Sequence, residues 1–412
     1  MKIAFLIQDA PDQIGGVTSW EKRILPQFKM NNIEVVVLCM TYNKIDNCPT
    51  VDFLSQQGIR CIIGKWPRFI DDRIQWLLNN LHEIQPDVFV CNWLVAGFFT
   101  SAVLTAAGIP VMGVMHSVDV MYQGITDEFI FGNRAFRAAG IVFVSEMQRN
   151  ILLDNKLTDI PTQVIPCGVP IPEKREKTQS YFRIAYIGRL TEKAKQISKL
   201  AHAFCNVAEQ VEGVEAHIYG DGECREAVVN ILASRGAKLP VYYNGAVDVG
   251  DVLKVLQSAH VIVLLSDYEG MPVSLMEGMA CGLVPVCLKA PGGIMSTVRN
   301  NENGLLVNNR DDEFVAAIKL LKNNKQLYDK LSANARKDIE NNFSIEFTTN
   351  KWIFFIEEVQ KYFPQQKKPI STKLIKLPPP NPKIATWDRR KPAQPLITQI
   401  KMRLKNILRS RG

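Results

Sequence analysis

Histidine is scarce in this chain, with five residues in 412. His82, His202, His217 and His260 share no spacing and read as structural residues, which leaves little room for a multi-histidine centre. The nine cysteines include no C-x-x-C pair and no cluster with zinc-ligand spacing. Cys39, Cys91 and Cys287 lie in apolar runs, so the thiols read as reduced and buried in a cytoplasmic protein rather than as a disulfide framework. Near the N-terminus only Ile3 to Ile7 is apolar before Gln8 and Asp9, too short for a signal-peptide core. One stretch, Val88 to Met115, carries no charge and is long enough to span a bilayer. Asn92, Thr100, Ser101 and Thr105 interrupt it and Gly108-Ile109-Pro110 breaks it, so it parses as a buried strand, helix and strand. Acid is nearly missing from the C-terminus. Residues 367–412 hold thirteen Lys and Arg against Asp388, a net of +12, which leaves residues 1–366 at −4.

What is present is an alternation. Lys2–Ile7, Val35–Cys39, Cys61–Ile63, Val88–Cys91, Val111–Met115 and Ile141–Val144 read as buried strands, with helical patterns such as Thr18–Met30, Asp71–Ile84 and Ala96–Ala107 between them. Such alternation implies a parallel sheet covered by helices on both faces. It pauses at a Pro-rich, charged stretch and restarts with Phe182–Ile187, Glu215–Tyr219, Val241–Tyr243, Val261–Leu265 and Val284–Cys287, followed by a helical run Asp311–Asn341. The expected organisation is an α/β chain of two doubly wound domains with a cleft between them. A first domain occupies 1–165, a linker 166–180 and a second domain 181–343. A helix at 344–363, capped by Ser344, packs back toward the first domain, and a Pro-rich basic tail covers 364–412. The tail is too poor in apolar residues to bury a core and reads as a flexible, partly polyproline tether. Within it Leu396, Ile397, Ile400, Leu404, Ile407 and Leu408 recur at helical spacing on one face, and Lys401, Arg403, Lys405 and Arg409 lie mostly on the other, with Met402 among them. That is the pattern of a helix lying on an anionic membrane surface. A single aromatic, Trp387, argues against nucleic-acid binding.

Ligands of doubly wound sheets bind beyond the carboxyl ends of the strands. The sharpest signal stands there, Glu269-Gly-Met-Pro-Val-Ser-Leu-Met-Glu277 followed by Gly278-Met-Ala-Cys-Gly282. Met271, Pro272, Val273 and Ser274 start a helix whose free amides form an anion site, and Pro272 suits a first helical position. A glutamate at each end can bind sugar or ribose hydroxyls, although in isolation such a pair reads as two solvated carboxylates.

The full stretch resembles the donor-site signature of glycosyltransferase family 4. Gly15-Gly16-Val17, His116, Val164-Ile-Pro-Cys-Gly-Val169, Ile187-Gly-Arg-Leu190 with Lys195, Tyr219-Gly-Asp-Gly222 and Asn303-Gly-Leu-Leu-Val307 match the same family in order. The resemblance covers residues 1–362 and implies the GT-B arrangement of two Rossmann-like domains. It implies a retaining glycosyltransferase that takes a sugar from a UDP- or GDP-linked donor and passes it to a glycan or lipid-linked acceptor in cell-surface polysaccharide or glycolipid synthesis. Glu277 is then expected to hold the ribose. Glu269 and the backbone of Gly270, Met271, Pro272, Val273 and Ser274 would hold the transferred sugar. Arg189 and Lys195 would neutralise the diphosphate. His116 would touch the sugar or the donor phosphate, and the Gly15-Gly16 turn would approach a phosphate or the acceptor. No cofactor and no metal are expected, because the chain has no D-x-D triplet.

The chain departs from the family pattern at several points. Cys167 stands where asparagine is usual, Lys195 lies one position later than in many members so that Lys193 competes with it, and Met295 and Ser296 replace a frequent Pro and Glu. Two other readings fit the same fold: a non-catalytic sugar-nucleotide-binding partner protein, and a sugar-nucleotide 2-epimerase. The intact set Arg189, Lys195, Glu269 and Glu277 disfavours the first, and the histidine-poor first domain disfavours the second.

Overall fold

The computed structural model describes residues 1–11, 15–42, 44–174 and 181–391. The N-terminal strands β1 (Lys2–Gln8), β2 (Glu34–Thr41), β3 (Arg60–Lys65), β4 (Val88–Cys91), β5 (Val111–Met115), β6 (Gly140–Phe143) and β7 (Thr162–Val164) form one parallel sheet in the order β3-β2-β1-β4-β5-β6-β7. A second parallel sheet contains β8 (Phe182–Ile187), β9 (Val214–Tyr219), β10 (Val241–Tyr243), β11 (Val261–Leu264), β12 (Val284–Leu288) and β13 (Leu305–Val307), ordered β10-β9-β8-β11-β12-β13. In both sheets the order reverses beside the first strand. That places a crevice at the carboxyl ends of β1 and β4, and another at those of β8 and β11. The central strands are apolar on both faces because helices cover both, and β1 is buried from Ile3 to Gln8.

The uncharged stretch Val88–Met115 is a βαβ unit, as its interruptions require. Its helical part is broken at Thr100, where Thr100 Oγ1 donates to the Gly97 carbonyl at 2.6 Å and Ser101 Oγ to that of Phe98 at 2.6 Å. Among the described residues no helix is long and apolar enough to cross a membrane. The run Asp311–Asn341 is likewise two helices, Asp312–Asn323 and Lys325–Asn342. Asn324 interrupts it, and its Oδ1 accepts from the Leu327 amide at 3.0 Å.

The chain changes domain at Cys167–Val169, so the first part of the 166–180 stretch is core rather than tether. Cys167 belongs to the first domain's core and Val169, fully buried, to the second's. Val169 also pairs with the start of the helix Ile345–Gln360 through amide-to-carbonyl bonds of 2.9 Å in both directions. This helix, capped by Ser344 Oγ at 3.2 Å, returns to the first domain. It buries Trp352, Phe355, Ile356 and Val359 against Trp20 and Phe28.

The expectation of a free tether beyond residue 364 fails for the described part. Residues 364–391 strap the outer face of the first domain. Lys367 Nζ pairs with Asp87 at 2.7 Å, the Ile370 carbonyl meets His82 Nδ1 at 2.7 Å, and Lys383 pairs with Asp127 at 2.8 Å. Ile370 and Ile384 are buried in the first domain's core, and Trp387 packs edge-on against Trp66 and Trp93. Five apolar side chains, Ile370, Ile375, Leu377, Ile384 and Trp387, pack onto that domain from a segment whose composition is otherwise that of a solvated chain. The helical pattern Leu396–Leu408 lies outside the described residues.

Candidate active site

The crevices of the two sheets face each other. The helix Gly16–Met30 follows β1 and starts at Gly15, whose amide donates to Thr18 Oγ1 at 3.2 Å. A Cβ on Gly16 would stand 3.9 Å from Val273 Cγ2, so the beginnings of two helices from different domains oppose one another. On the first-domain wall His116 follows β5. Its carbonyl lies 4.0 Å from where a Cβ on Gly270 would stand. Trp20 holds the imidazole edge-on, with ring centroids 5.1 Å apart. Burial lowers the His116 pKa to about 3, so the ring is neutral.

The opposite wall is built from loops after β8 and β11. The Tyr186 hydroxyl donates to the Arg189 carbonyl at 2.8 Å and pins the turn after β8. The Arg189 side chain is exposed and makes no ion pair among the described residues. Gln196, at φ 48°, sets the left-handed bend before the helix Ile197–Gln210. The preceding Lys195 turns back so that its Nζ reaches Glu269 Oε1 at 2.5 Å, while Lys193 is exposed. Of the two competing lysines, the geometry therefore directs Lys195 to Glu269. The Glu269 carbonyl accepts from the Gly293 amide at 2.8 Å. Gly292, at φ 100°, backs that turn closely: a Cβ there would stand 2.0 Å from the Glu269 carbonyl oxygen.

Pro272 stands one residue ahead of the helix Val273–Ala280, as its N-cap, rather than at its first position. Glu277 is the fifth residue of that helix and 4% exposed. Its partner is one that local sequence gave no reason to single out. Arg23, on the Gly16 helix of the other domain, forms an ion pair with Glu277 Oε1. Burial raises the Glu277 carboxyl above its ordinary range, and the Arg23 guanidinium opposes that rise. Arg23 Nη1 is buried without a partner among the described residues.

Three further polar residues on the first-domain wall were not legible as site residues from the sequence. Glu21 and Asn92 lie behind His116 and are almost fully buried. Gln148, 1% exposed, turns its amide toward Gly270: Nε2 lies 3.8 Å from a Cβ placed there, and neither amide atom has a partner among the described residues. An isolated polar residue at a strand end carries no sequence pattern, so only its burial marks it. Asp119, by contrast, is a helix cap, with Oδ1 accepting from the Met121 amide at 3.0 Å. Asp221 is a turn residue, accepting from the Gly222 amide at 2.8 Å. Among the described residues no group of three or more His, Cys, Asp or Glu side chains could hold a metal ion.

Comparison with known proteins places this geometry in a family. Residues 14–172 match the family described as Glycosyltransferase Family 4, and residues 170–338 match Glycosyl transferases group 1. An uncharacterised glycosyltransferase of Methanocaldococcus jannaschii is 29% identical over 377 residues, 84% of this chain and 95% of the relative. The poly(ribitol-phosphate) alpha-N-acetylglucosaminyltransferase of Staphylococcus aureus is 25% identical over 230 residues, which is 55% of this chain but 45% of that longer relative. Among solved structures, Anabaena HepE in complex with UDP and glucose superposes with a TM-score of 0.71 at 18% identity, over 87% of this chain and 100% of that one. Two sheets of this order, the paired walls between them and matches that together run from residue 14 to 338 make the chain a GT-B-fold glycosyltransferase of family 4, group 1.

Proposed function

We propose that the chain transfers a sugar, with retention of anomeric configuration and without a metal ion, from a UDP- or GDP-linked donor to a glycan or lipid-linked acceptor of a cell-surface polymer or glycolipid. The carrying observation is the meeting of Lys195 with Glu269 beside the first turn of the Val273 helix, on the wall that also holds Arg189 and Glu277. A departing nucleoside diphosphate gains negative charge. A fixed ammonium, a free guanidinium and the amides of a helix start stabilise that charge most in the transition state. Glu269 and the backbone from Gly270 to Ser274 bind the transferred sugar, and Glu277 binds the ribose. His116, across the cleft, faces the sugar, and the Gly15-Gly16 turn lies where phosphate or acceptor approaches. The leaving phosphate takes the acceptor's proton on the face it departs from, so no pair of catalytic carboxylates is required. The acceptor class is supported by relatives that act on poly(ribitol phosphate) and, in Campylobacter jejuni, on an undecaprenol-linked glycan.

The test is a thermal-shift panel of nucleotide-diphosphate sugars, because a bound donor raises the melting temperature by mass action. Nucleotide release and product anomer analysis on acceptor-containing membrane extract follow. A stabilising donor, free nucleoside diphosphate and a retained anomer are expected. An inverted anomer overturns the retaining mechanism. Donor binding without nucleotide release overturns transfer in favour of a binding protein or, where the sugar is epimerised, an epimerase.

A further inference from the structure

Behind His116 runs a short chain of buried polar groups. Asn92, fully buried just after β4, donates from Nδ2 to Glu21 Oε1 at 2.5 Å, and its Oδ1 lies 2.6 Å from His116 Nε2. Glu21 comes from the Gly16 helix and is 1% exposed. Its second oxygen, Oε2, is buried without a partner among the described residues. A carboxyl group in such surroundings is expensive to desolvate, and its pKa is raised well above the ordinary value. Core packing does not call for it, since a leucine would fill a similar volume without that cost. Among the described residues its one hydrogen bond goes to Asn92.

The directions of the hydrogen bonds determine what the chain does. A primary amide has one donating end and one accepting end. With its NH2 turned to Glu21, Asn92 presents only its carbonyl oxygen to His116, so Nε2 carries the ring proton. The ring is neutral, which leaves Nδ1 with a lone pair and no proton. A protonated Glu21 changes nothing here: with the proton on Oε2, Oε1 remains an acceptor. We propose that Glu21 and Asn92 are positioning residues that lock His116 in its Nε2–H tautomer, so that Nδ1 accepts a hydrogen bond from a hydroxyl of the transferred sugar. The proposal rests on the reading of His116 as part of the sugar site and sharpens it. A lone pair repels a phosphate oxygen, so the partner of His116 is a sugar hydroxyl and not the diphosphate.

The test is nitrogen-15 NMR of the histidine rings in the full-length protein, with the His116 signal assigned by its loss in His116→Gln. The expected wild-type signature is protonated Nε2 and bare Nδ1. In Asn92→Ala and Glu21→Leu the ring should become a mixture of tautomers, and kcat should fall about tenfold, the worth of one neutral hydrogen bond, while donor KM moves little. Glu21→Gln keeps an acceptor for Asn92 and should retain both the tautomer and a rate within about threefold of wild type. Among deoxy analogues of the donor sugar, one should lose about tenfold with wild type and nothing further with His116→Ala. A wild-type signature of protonated Nδ1 overturns the proposal even if a variant fails to fold. So does an unchanged tautomer together with an unchanged kcat in Asn92→Ala. Failure of every nucleotide sugar to turn over, with the Nε2–H signature intact, would sink the sugar-transfer reading and leave the locked tautomer standing.

Discussion

At the residue scale the site depends on a few charges whose surroundings differ. Glu277 is buried against one cation, whereas Arg189 is exposed and unpaired among the described residues. On the proposed donor site, Glu277→Ala and Arg189→Ala would each remove a charge-assisted hydrogen bond to the donor. Each is expected to lower turnover by roughly 10- to 100-fold, the equivalent of about 1.5–3 kcal/mol. Steady-state kinetics on folded variants checks this, and wild-type turnover in either would undo the donor-site assignment. Glu21 offers a separate test through stability. Burial, reinforced by the Asp9 carboxylate and opposed by Asn92 and Lys22, raises its pKa in the fold. A raised folded-state pKa contributes stability below the ordinary carboxylate value and loses it as pH rises through the folded value. Glutamine does not titrate, so Glu21→Gln should gain stability relative to wild type as pH rises from about 5 to about 9. Melting curves across that range that stay parallel would show that Glu21 is not desolvated as the structure requires.

At the element scale the strap formed by residues 364–391 separates two things that composition runs together. Its proline and lysine content reads as a tether, yet Ile370 and Ile384 are buried in the first domain. Burying each such side chain is worth about 1.5–3 kcal/mol. Ending the chain after Phe363 should therefore lower the melting temperature, while ending it after Lys391 should leave it unchanged. The same two truncations test the proposed membrane contact. Removal of 392–412 alone should abolish flotation with vesicles containing anionic lipid at low salt. Equal flotation of full-length and shortened protein would place any membrane contact elsewhere.

At the scale of the whole molecule the two domains are tied by an ion pair that neither could make alone. Arg23 and Glu277 have side chains only 13% and 5% exposed. Removing one partner leaves the other buried without compensation, at a cost of about 3 kcal/mol or more. Arg23→Met should thus lower the denaturation midpoint. The double variant Arg23→Met with Glu277→Leu should recover much of that stability while keeping the loss of turnover expected for Glu277→Ala. A single variant as stable as wild type would mean the pair contributes nothing to holding the cleft closed. A mechanism that uses Arg189 and Lys195 in place of a metal also predicts that excess EDTA leaves turnover intact. Activity lost to EDTA and restored by magnesium or manganese would overturn it.

The alternating apolar runs were sufficient to read two parallel sheets, because a strand covered on both faces must be apolar throughout. The loop after β11 was legible for a related reason. Glu269, the helix start at Val273 and Glu277 lie within one covalent stretch, so their spacing survives any arrangement of the rest. Arg23 was not legible, because it meets Glu277 across 254 positions of sequence and only the stacking of one domain on the other brings them together. Glu21, Asn92 and His116 come from three separate segments and become a chain only where β1, β4 and β5 lie side by side. The strap was misread because five irregularly placed apolar side chains in 28 residues leave no periodicity, and they pack on residues far away in sequence. Local pattern is written in the chain wherever neighbours in sequence share one environment. Partners drawn from distant segments are chosen by tertiary packing, which alone decides which buried charge meets which.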